Sequence, residues 1–146
     1  MKKRVLILVA VAVLASLALT TVASAKTVEG TGTLWARGAG IAKVHSDGSV
    51  KVRGCGVGTV WVKGAECLEA HGVGIRREVA GGVLFIGWWG KIVASGEELT
   101  VRMAGGLIEF TAEGTGWAYL RGRGRYHTDS AGGEWSPDGI TIYFTP

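Results

Sequence analysis

Apolar and polar residues alternate along most of the chain after residue 26. The alternation is clearest in segments 50–53, 99–103 and 140–144, where every second residue is aliphatic or aromatic. A period of two is typical of β-strands that bury one face. Segment 83–86 is apolar throughout, which predicts a central strand that is covered on both sides.

Turn sequences separate these strands. Segments 46–49 and 136–139 combine Asp and Gly with Ser or Pro, which are residues that favour tight turns. The chain holds 25 glycines and only two prolines, without a collagen-like triplet period. We therefore predict a single all-β domain, an antiparallel β-sandwich or flattened barrel with roughly ten short strands.

One glycine-bounded motif recurs three times. Segments 30–38, 56–64 and 114–122 each begin and end with glycine and carry a basic residue at the eighth position. The first two copies start 26 residues apart, and an Ala-Gly-Gly sequence recurs at a similar spacing at 80, 104 and 131. A period of this length is also found in β-solenoids with one coil per repeat, so a solenoid is the alternative architecture.

The motif predicts a surface that combines aromatic and basic side chains. Because side chains alternate along a strand, Trp35 and Arg37 share one face while Leu34 and Ala36 share the other. Such a face can stack on sugars and hold anions. In the alternative interpretation the rings are structural, and basic side chains lie over them as cation–π pairs. The candidate binding residues are Trp35, Arg37, Trp61, Lys63, Trp117, Tyr119, Arg121, Arg123 and Arg125.

Residues 1–25 have the organisation of an export signal. A basic start, Met1 to Arg4, precedes an apolar run from Val5 to Leu19, and Ala23-Ser24-Ala25 supplies a small-residue cleavage site. The apolar run is shorter than the roughly 20 residues that span a bilayer. We predict an N-terminal signal helix, cleavage before Lys26, and an all-β domain over residues 26–146. The protein is expected in the periplasm, at the cell surface or in the medium.

Charge narrows the range of partners. Without the three basic residues of segment 1–25, the formal net charge falls from +4 to +1. A domain near neutrality lacks the strongly basic surface of a phosphate-backbone binder, so no nucleic-acid partner is expected. The expected partners are an envelope glycan, an anionic polymer or a lipid head group. Self-association through exposed strand edges remains open.

The two cysteines predict a disulfide. In an oxidising compartment, Cys55 and Cys67 would be expected to pair, and the bridge would contribute about 3 kcal/mol in the chain-entropy model. Cys67 and His71 have a ligand-like spacing, but structural zinc sites usually have two close ligand pairs, which Cys55 does not supply. No metal and no cofactor are predicted.

The remaining residues favour a non-enzymatic role. The chain has no G-x-S-x-G or H-E-x-x-H sequence. We therefore expect an envelope-associated binding or structural module, with catalytic residues unknown. The alternative is a small extracytoplasmic hydrolase or transferase with a dispersed acid/base site, such as His127 with Asp129. The adjacent Trp88 and Trp89 must point to opposite faces of an extended strand, which predicts that one ring lies at the surface.

Overall fold

The computed structural model describes residues 26–55 and 58–146, with no side-chain description for Cys55. The predicted signal helix lies outside these residues. The described part contains ten strands and no helix, which confirms the all-β prediction. The strands are β1 (Lys26–Thr31), β2 (Leu34–Ser46), β3 (Ser49–Cys55), β4 (Thr59–Lys63), β5 (Cys67–Val79), β6 (Gly82–Ser95), β7 (Leu99–Glu113), β8 (Gly116–His127), β9 (Gly132–Glu134) and β10 (Ile140–Thr145).

All ten strands belong to one hydrogen-bonded sheet with the order β1-β10-β8-β2-β7-β3-β6-β4. β5 pairs with β6, and β9 pairs with β8. β3 pairs with both β6 and β7, and β4 pairs with the same two strands further along their length. The four strands therefore close into a small hydrogen-bonded barrel, and the other six strands lie outside it. Among the described strands, the one parallel ladder joins β1 to β10. The antiparallel ladders contradict a solenoid, whose coils stack in parallel.

The strands are longer than the glycine spacing predicts. β2, β5, β6, β7 and β8 each contain 12 to 15 residues. Glycines lie in the middle of these strands and face one another across the ladders, as Gly38 faces Gly124 and Gly72 faces Gly90. The strand therefore continues through them. Two ladders, β2–β7 at Gly38/Gly40 and β5–β6 at Val73/Ile75, shift register by one residue near these glycines, which is the mark of a β-bulge that bends the strand.

The facing glycine pairs Gly38–Gly124 and Gly40–Gly122 in the middle of β2 and β8 form what we call the glycine band. Close backbone contact explains why glycine is required there. A β-carbon on Gly38 would overlap the carbonyl oxygen of Arg123 and would approach the Cα of Gly124 to 2.8 Å. Backbone atoms cannot rotate out of the way as a flexible side chain can. The glycines thus allow neighbouring long strands to pass close together where the sheet bends.

The core lies on one face of the sheet, which we call the inner face. A single cluster of buried residues includes Phe85, Phe110, Phe144, Leu34 and Ile142, each at most 1% exposed. Residues of this cluster alternate with more exposed neighbours along each strand, as in the burial patterns of β2 and β10. The opposite face, which we call the outer face, carries the polar and basic side chains that the alternation predicts.

The cysteine prediction is not supported by this fold. Cys67 is a free and exposed cysteine, and no disulfide joins described residues. The backbone register gives the reason, because Cys55 lies opposite Trp89 of β6 whereas Cys67 lies opposite Ser95. Six residues of strand correspond to about 20 Å, whereas a disulfide requires Cα atoms within roughly 7 Å.

Candidate functional site

The alternation of the repeated motif is as the sequence predicts. Leu34 and Ala36 are fully buried, and the intervening Trp35 is half-buried at the outer face. Val60 and Val62 in β4, and Ala118 and Leu120 in β8, are buried in the same way. The candidate aromatic and basic residues of all three copies therefore lie on the outer face.

The three copies do not, however, form one continuous aromatic surface. Trp35 lies opposite His127, at one end of the β2–β8 ladder, whereas Trp117 lies opposite His45, at its other end. Ten residues of β2 separate these two positions, which is about 33 Å along the strand. Trp61 belongs to the end that contains Trp117, in the row Tyr119–Lys43–Arg102–Trp61.

Each of these tryptophan rings already has a partner within the chain. Trp35 stacks on His127 at 4.9 Å between ring centroids. Arg102 lies 5.3 Å from the centroid of Trp61, and the Trp61 indole N–H donates to the carbonyl of Val79 at 3.1 Å. These contacts match the interpretation in which the rings are structural.

The rings of Trp117 and Tyr119 also contact other residues of the chain. His45 stacks on Trp117 at 6.0 Å, and the ammonium of Lys43 lies 5.4 Å from the centroid of the same ring. The Tyr119 ring packs against the turn at Gly139, where a β-carbon would overlap the phenol oxygen. The second basic residue near Trp61 is Lys63, 6.0 Å from the ring centroid. Trp35, Trp61, Trp117 and Tyr119 thus each have at least one contact with another part of the chain, and all four remain partly exposed.

A row of cations crosses the outer face at the middle of the sheet. Arg125 of β8 lies opposite Arg37 of β2, which lies opposite Glu109 of β7. Glu109 lies opposite Arg53 of β3, which in turn lies opposite Lys91 of β6. We call Arg125, Arg37, Arg53 and Lys91 the cationic row. Neighbouring strands are about 4.8 Å apart, so the row extends over about 19 Å.

The charges of the cationic row are weakly compensated. Within the described residues one ion pair is present, between Arg37 Nε and Glu109 Oε2 at 3.9 Å, with 56% of the Arg37 side chain exposed. An exposed pair of this kind contributes at most about 1 kcal/mol. Arg53, Lys91 and Arg125 are exposed and form no ion pair with described residues. Two carboxylates belong to the same line, Glu109 at its centre and Glu134 of β9 opposite Arg125 at its end. The four cations therefore exceed the carboxylates beside them by two charges.

Acidic residues are concentrated elsewhere. Asp47, Glu66, Glu97 and Glu113 surround a depression at one end of the sheet, where the strands turn. Basic residues dominate the outer face along the strands. Although the net charge is small, positive charge is therefore concentrated on the outer face of the strands and negative charge at the turns.

The row includes residues that the motif does not contain. Arg37 and Arg125 were predicted, but Arg53 and Lys91 were not. A shallow groove lies beside Arg53 and Lys91, and it is also bordered by Lys51, two residues before Arg53 on β3, and by Thr111. The alternation of β3 places Lys51 and Arg53 on a polar face, but it does not show which strands are neighbours. Arg121 and Arg123 continue β8 beyond the row, and Arg121 Nε donates to the carbonyl of Pro137 at 3.3 Å.

His127 and Asp129, the example given for the enzymatic alternative, make separate contacts. The His127 ring stacks on Trp35 rather than facing Asp129, and no hydrogen bond joins the two side chains. The Asp129 carboxylate lies against Gly32, and its backbone N–H donates to Thr31 at 2.8 Å. No group of three or more His, Cys, Asp or Glu side chains in residues 26–55 and 58–146 could hold a metal ion.

The adjacent tryptophans follow the prediction. Trp88 packs edge-on against Phe85, with 5.0 Å between the ring centroids, while Trp89 is 60% exposed on the outer face. In the part of the chain that the structure describes, no helix is long and apolar enough to cross a membrane.

Comparison with known proteins adds no family. No protein-family model matches the chain, and neither the curated proteins nor the solved structures include one that is similar to it.

Proposed function

We propose that this protein is an exported, non-enzymatic binding module that holds an anionic polymer of the cell envelope on its outer face. The observation that carries the proposal is the cationic row, in which Arg125, Arg37, Arg53 and Lys91 occupy one line across five neighbouring strands. A linear array of cations fits a linear array of anions. Arginine adds directional hydrogen bonds to phosphate or sulfate oxygens.

The rigidity of the sheet supports this assignment. Each member of the row projects from a strand that is hydrogen-bonded on both sides. Their chain neighbours Ala36, Val52 and Ile92 are buried in the core at 0%, 3% and 1% exposure. Side chains on such a scaffold need little backbone reorganisation to bind. The exposed ends of long arginine and lysine side chains can then adapt to an irregular polymer.

An anionic polymer accounts for the outer face better than the other expected partners. A glycan bound by stacking needs open rings, whereas Trp35, Trp61 and Trp117 already contact His127, Arg102 and Lys43 respectively. A lipid head group held at a membrane would be favoured by apolar side chains beside the cations. Exposed apolar side chains lie near one end of the row, where Trp89 is 60% exposed and two residues from Lys91. The groove that joins Arg53 and Lys91 is instead bordered by Lys51, Glu109 and Thr111.

The test measures binding of fluorescently labelled inorganic polyphosphate to the purified protein by fluorescence anisotropy. Arg53→Glu is expected to weaken binding by about tenfold, because it replaces one attractive contact by repulsion. The matched control is Lys26→Glu, which makes the same change of charge at the start of β1 and is expected to alter the affinity less than twofold. Raising the ionic strength should weaken binding of the unaltered protein, because salt screens exposed charges.

Three results would contradict the proposal. The first is an equal loss of affinity in both variants, which would indicate attraction by net charge alone. The second is the absence of polyphosphate and dextran sulfate binding at low salt. The third is binding to phosphatidylglycerol vesicles without binding to either polymer, which would assign the row to a membrane surface.

Export is part of the same proposal and has a separate test. N-terminal sequencing of the exported product is expected to begin at Lys26, directly after the small residues Ala23-Ser24-Ala25. A product that retains Met1 would show that the segment is not removed.

A further inference from the structure

β5 is a long strand with one free edge. It spans 13 residues, Cys67–Val79, and within the described residues it pairs with β6 on one side and with no strand on the other. Its register with β6 shifts between Val73 and Ile75, where two residues of β5 match three of β6. The additional residue therefore belongs to β6. On β5 itself, Gly72 and Gly74 have φ values of +143° and +156° on either side of Val73.

The free edge carries exposed apolar side chains. Val73, Ile75 and Val79 are 70%, 50% and 43% exposed, and Trp89, which lies opposite Val73 on β6, is 60% exposed. Natural proteins usually protect a free edge by shortening it, bulging it or placing lysine or proline on it. β5 is long and has neither residue type, and its charged side chains include Arg76 and Glu78 on the inner face. Such an edge is suited to pairing with another strand.

We propose that β5 pairs antiparallel with β5 of a second copy of this chain, about a two-fold axis at Val73. Val73 is the midpoint of the strand, so this register pairs all 13 positions of one copy with those of the other. The contact is the same patch on both copies, so it closes as a dimer. The proposal does not depend on the anionic ligand.

Charge complementarity selects this register. In it, Glu69 lies opposite Arg77 of the second copy, and by symmetry Arg77 lies opposite the second copy's Glu69. Both side chains are on the outer face, because they lie opposite Val93 and Leu84 of β6. Cross-strand pairs of opposite charge stabilise a sheet. A slip of two residues would place Glu69 opposite Ile75 or Val79 and would lose both pairs.

Apolar contact supports the same register. With Val73 on the axis, the two copies of Val73 lie side by side, and each is flanked by its own Trp89. The result is an unbroken apolar row of two valines between two tryptophans on the outer face. A slip of one residue is excluded, because it would bring outer-face residues of one copy opposite inner-face residues of the other.

The test is sedimentation velocity of the purified protein over a range of concentrations. The unaltered protein is expected to form a concentration-dependent dimer. Val73→Lys, which places two ammonium groups together at the axis, is expected to yield monomer. The matched control is Ile41→Lys, because Ile41 is a 50% exposed residue on the outer face of the interior strand β2 and should leave the dimer intact. Near-ultraviolet circular dichroism checks that each variant is folded.

A charge swap tests the register itself. Glu69→Arg and Arg77→Glu are each expected to weaken the dimer by roughly tenfold or more, because two attractive pairs become repulsive. The double variant is expected to restore the affinity. A monomer at every concentration, growth beyond a dimer, or single charge reversals without effect would overturn the proposal. Failure of polyphosphate binding would not affect any of these outcomes.

Discussion

The glycine band allows the bend of the sheet to be tested at a single position. At Gly38 in β2 an added β-carbon would overlap the Arg123 carbonyl of the neighbouring strand. The colliding atoms belong to the backbone, so accommodating Gly38→Ala requires the β2–β8 ladder to move. Overpacking of this kind costs about 1–3 kcal/mol, and we expect a value near the upper limit.

The reference position is Gly81, where an added β-carbon has no neighbour within 4 Å but φ is +75°. Gly81→Ala therefore carries only the cost of a left-handed conformation, about 1–2 kcal/mol. In both variants alanine also restricts the unfolded chain, which offsets about 0.4–1 kcal/mol. The expected net losses are thus about 2 kcal/mol for Gly38→Ala and about 1 kcal/mol or less for Gly81→Ala.

Urea denaturation followed by tryptophan fluorescence measures both losses. For a domain of this size, the loss in Gly38→Ala corresponds to a fall in Tm of about 8 °C. An unfolding free energy of Gly38→Ala within about 0.5 kcal/mol of the unaltered protein would refute the close approach of β2 and β8. A larger loss of unfolding free energy in Gly81→Ala than in Gly38→Ala would also refute the close approach of β2 and β8.

Two further predictions concern redox state and pH. Because Cys67 is free, adding a reductant should leave the free energy of unfolding unchanged, and a loss of about 3 kcal/mol would show that a disulfide is present after all. Burial raises the pKa of Tyr126 above its ordinary value of 10.0. In the folded state the Tyr126 hydroxyl therefore keeps its proton at a pH where the unfolded chain has lost it. The contribution of Tyr126 to the free energy of unfolding is fully present below pH 10.0 and declines as the pH rises beyond this value. Tyr126→Phe should reduce this alkaline decline in urea titrations, and an identical pH dependence in both proteins would contradict it.

The alternation of side chains between two faces could be predicted from the sequence because it is a local property. A period of two places Leu34 inside and Trp35 outside regardless of which strand lies beside them. The same rule separates Trp88 from Trp89. For this reason the faces of all three motif copies agree with the prediction.

The lengths of the strands and the cysteine pairing depend on contacts that are distant in sequence. A glycine such as Gly38 looks like the end of a strand, but here it allows close passage of a neighbouring backbone, which alternation cannot reveal. The cysteines illustrate the same limit. Cys55 and Cys67 are only 12 residues apart in the chain, yet both strands pair with β6, at positions six residues apart.

The cationic row is also a product of register. Arg37 and Arg125 belong to the first and third motif copies, but Arg53 and Lys91 lie outside the motif altogether. Their alignment follows from the ladders that join β8, β2, β7, β3 and β6. The sequence therefore predicts a basic face, while the neighbouring strands determine which basic residues act together.

A nuclear magnetic resonance titration can show, residue by residue, whether the cationic row binds an anionic polymer. Short polyphosphate is added to isotopically labelled protein, and the shifts of backbone amides and arginine Nε–H groups are followed. The largest changes in chemical shift are expected at Arg37, Arg53, Lys91 and Arg125, with little change at Trp61 and Trp117. Changes centred on those two tryptophans, or spread evenly over the exposed basic residues, would contradict it.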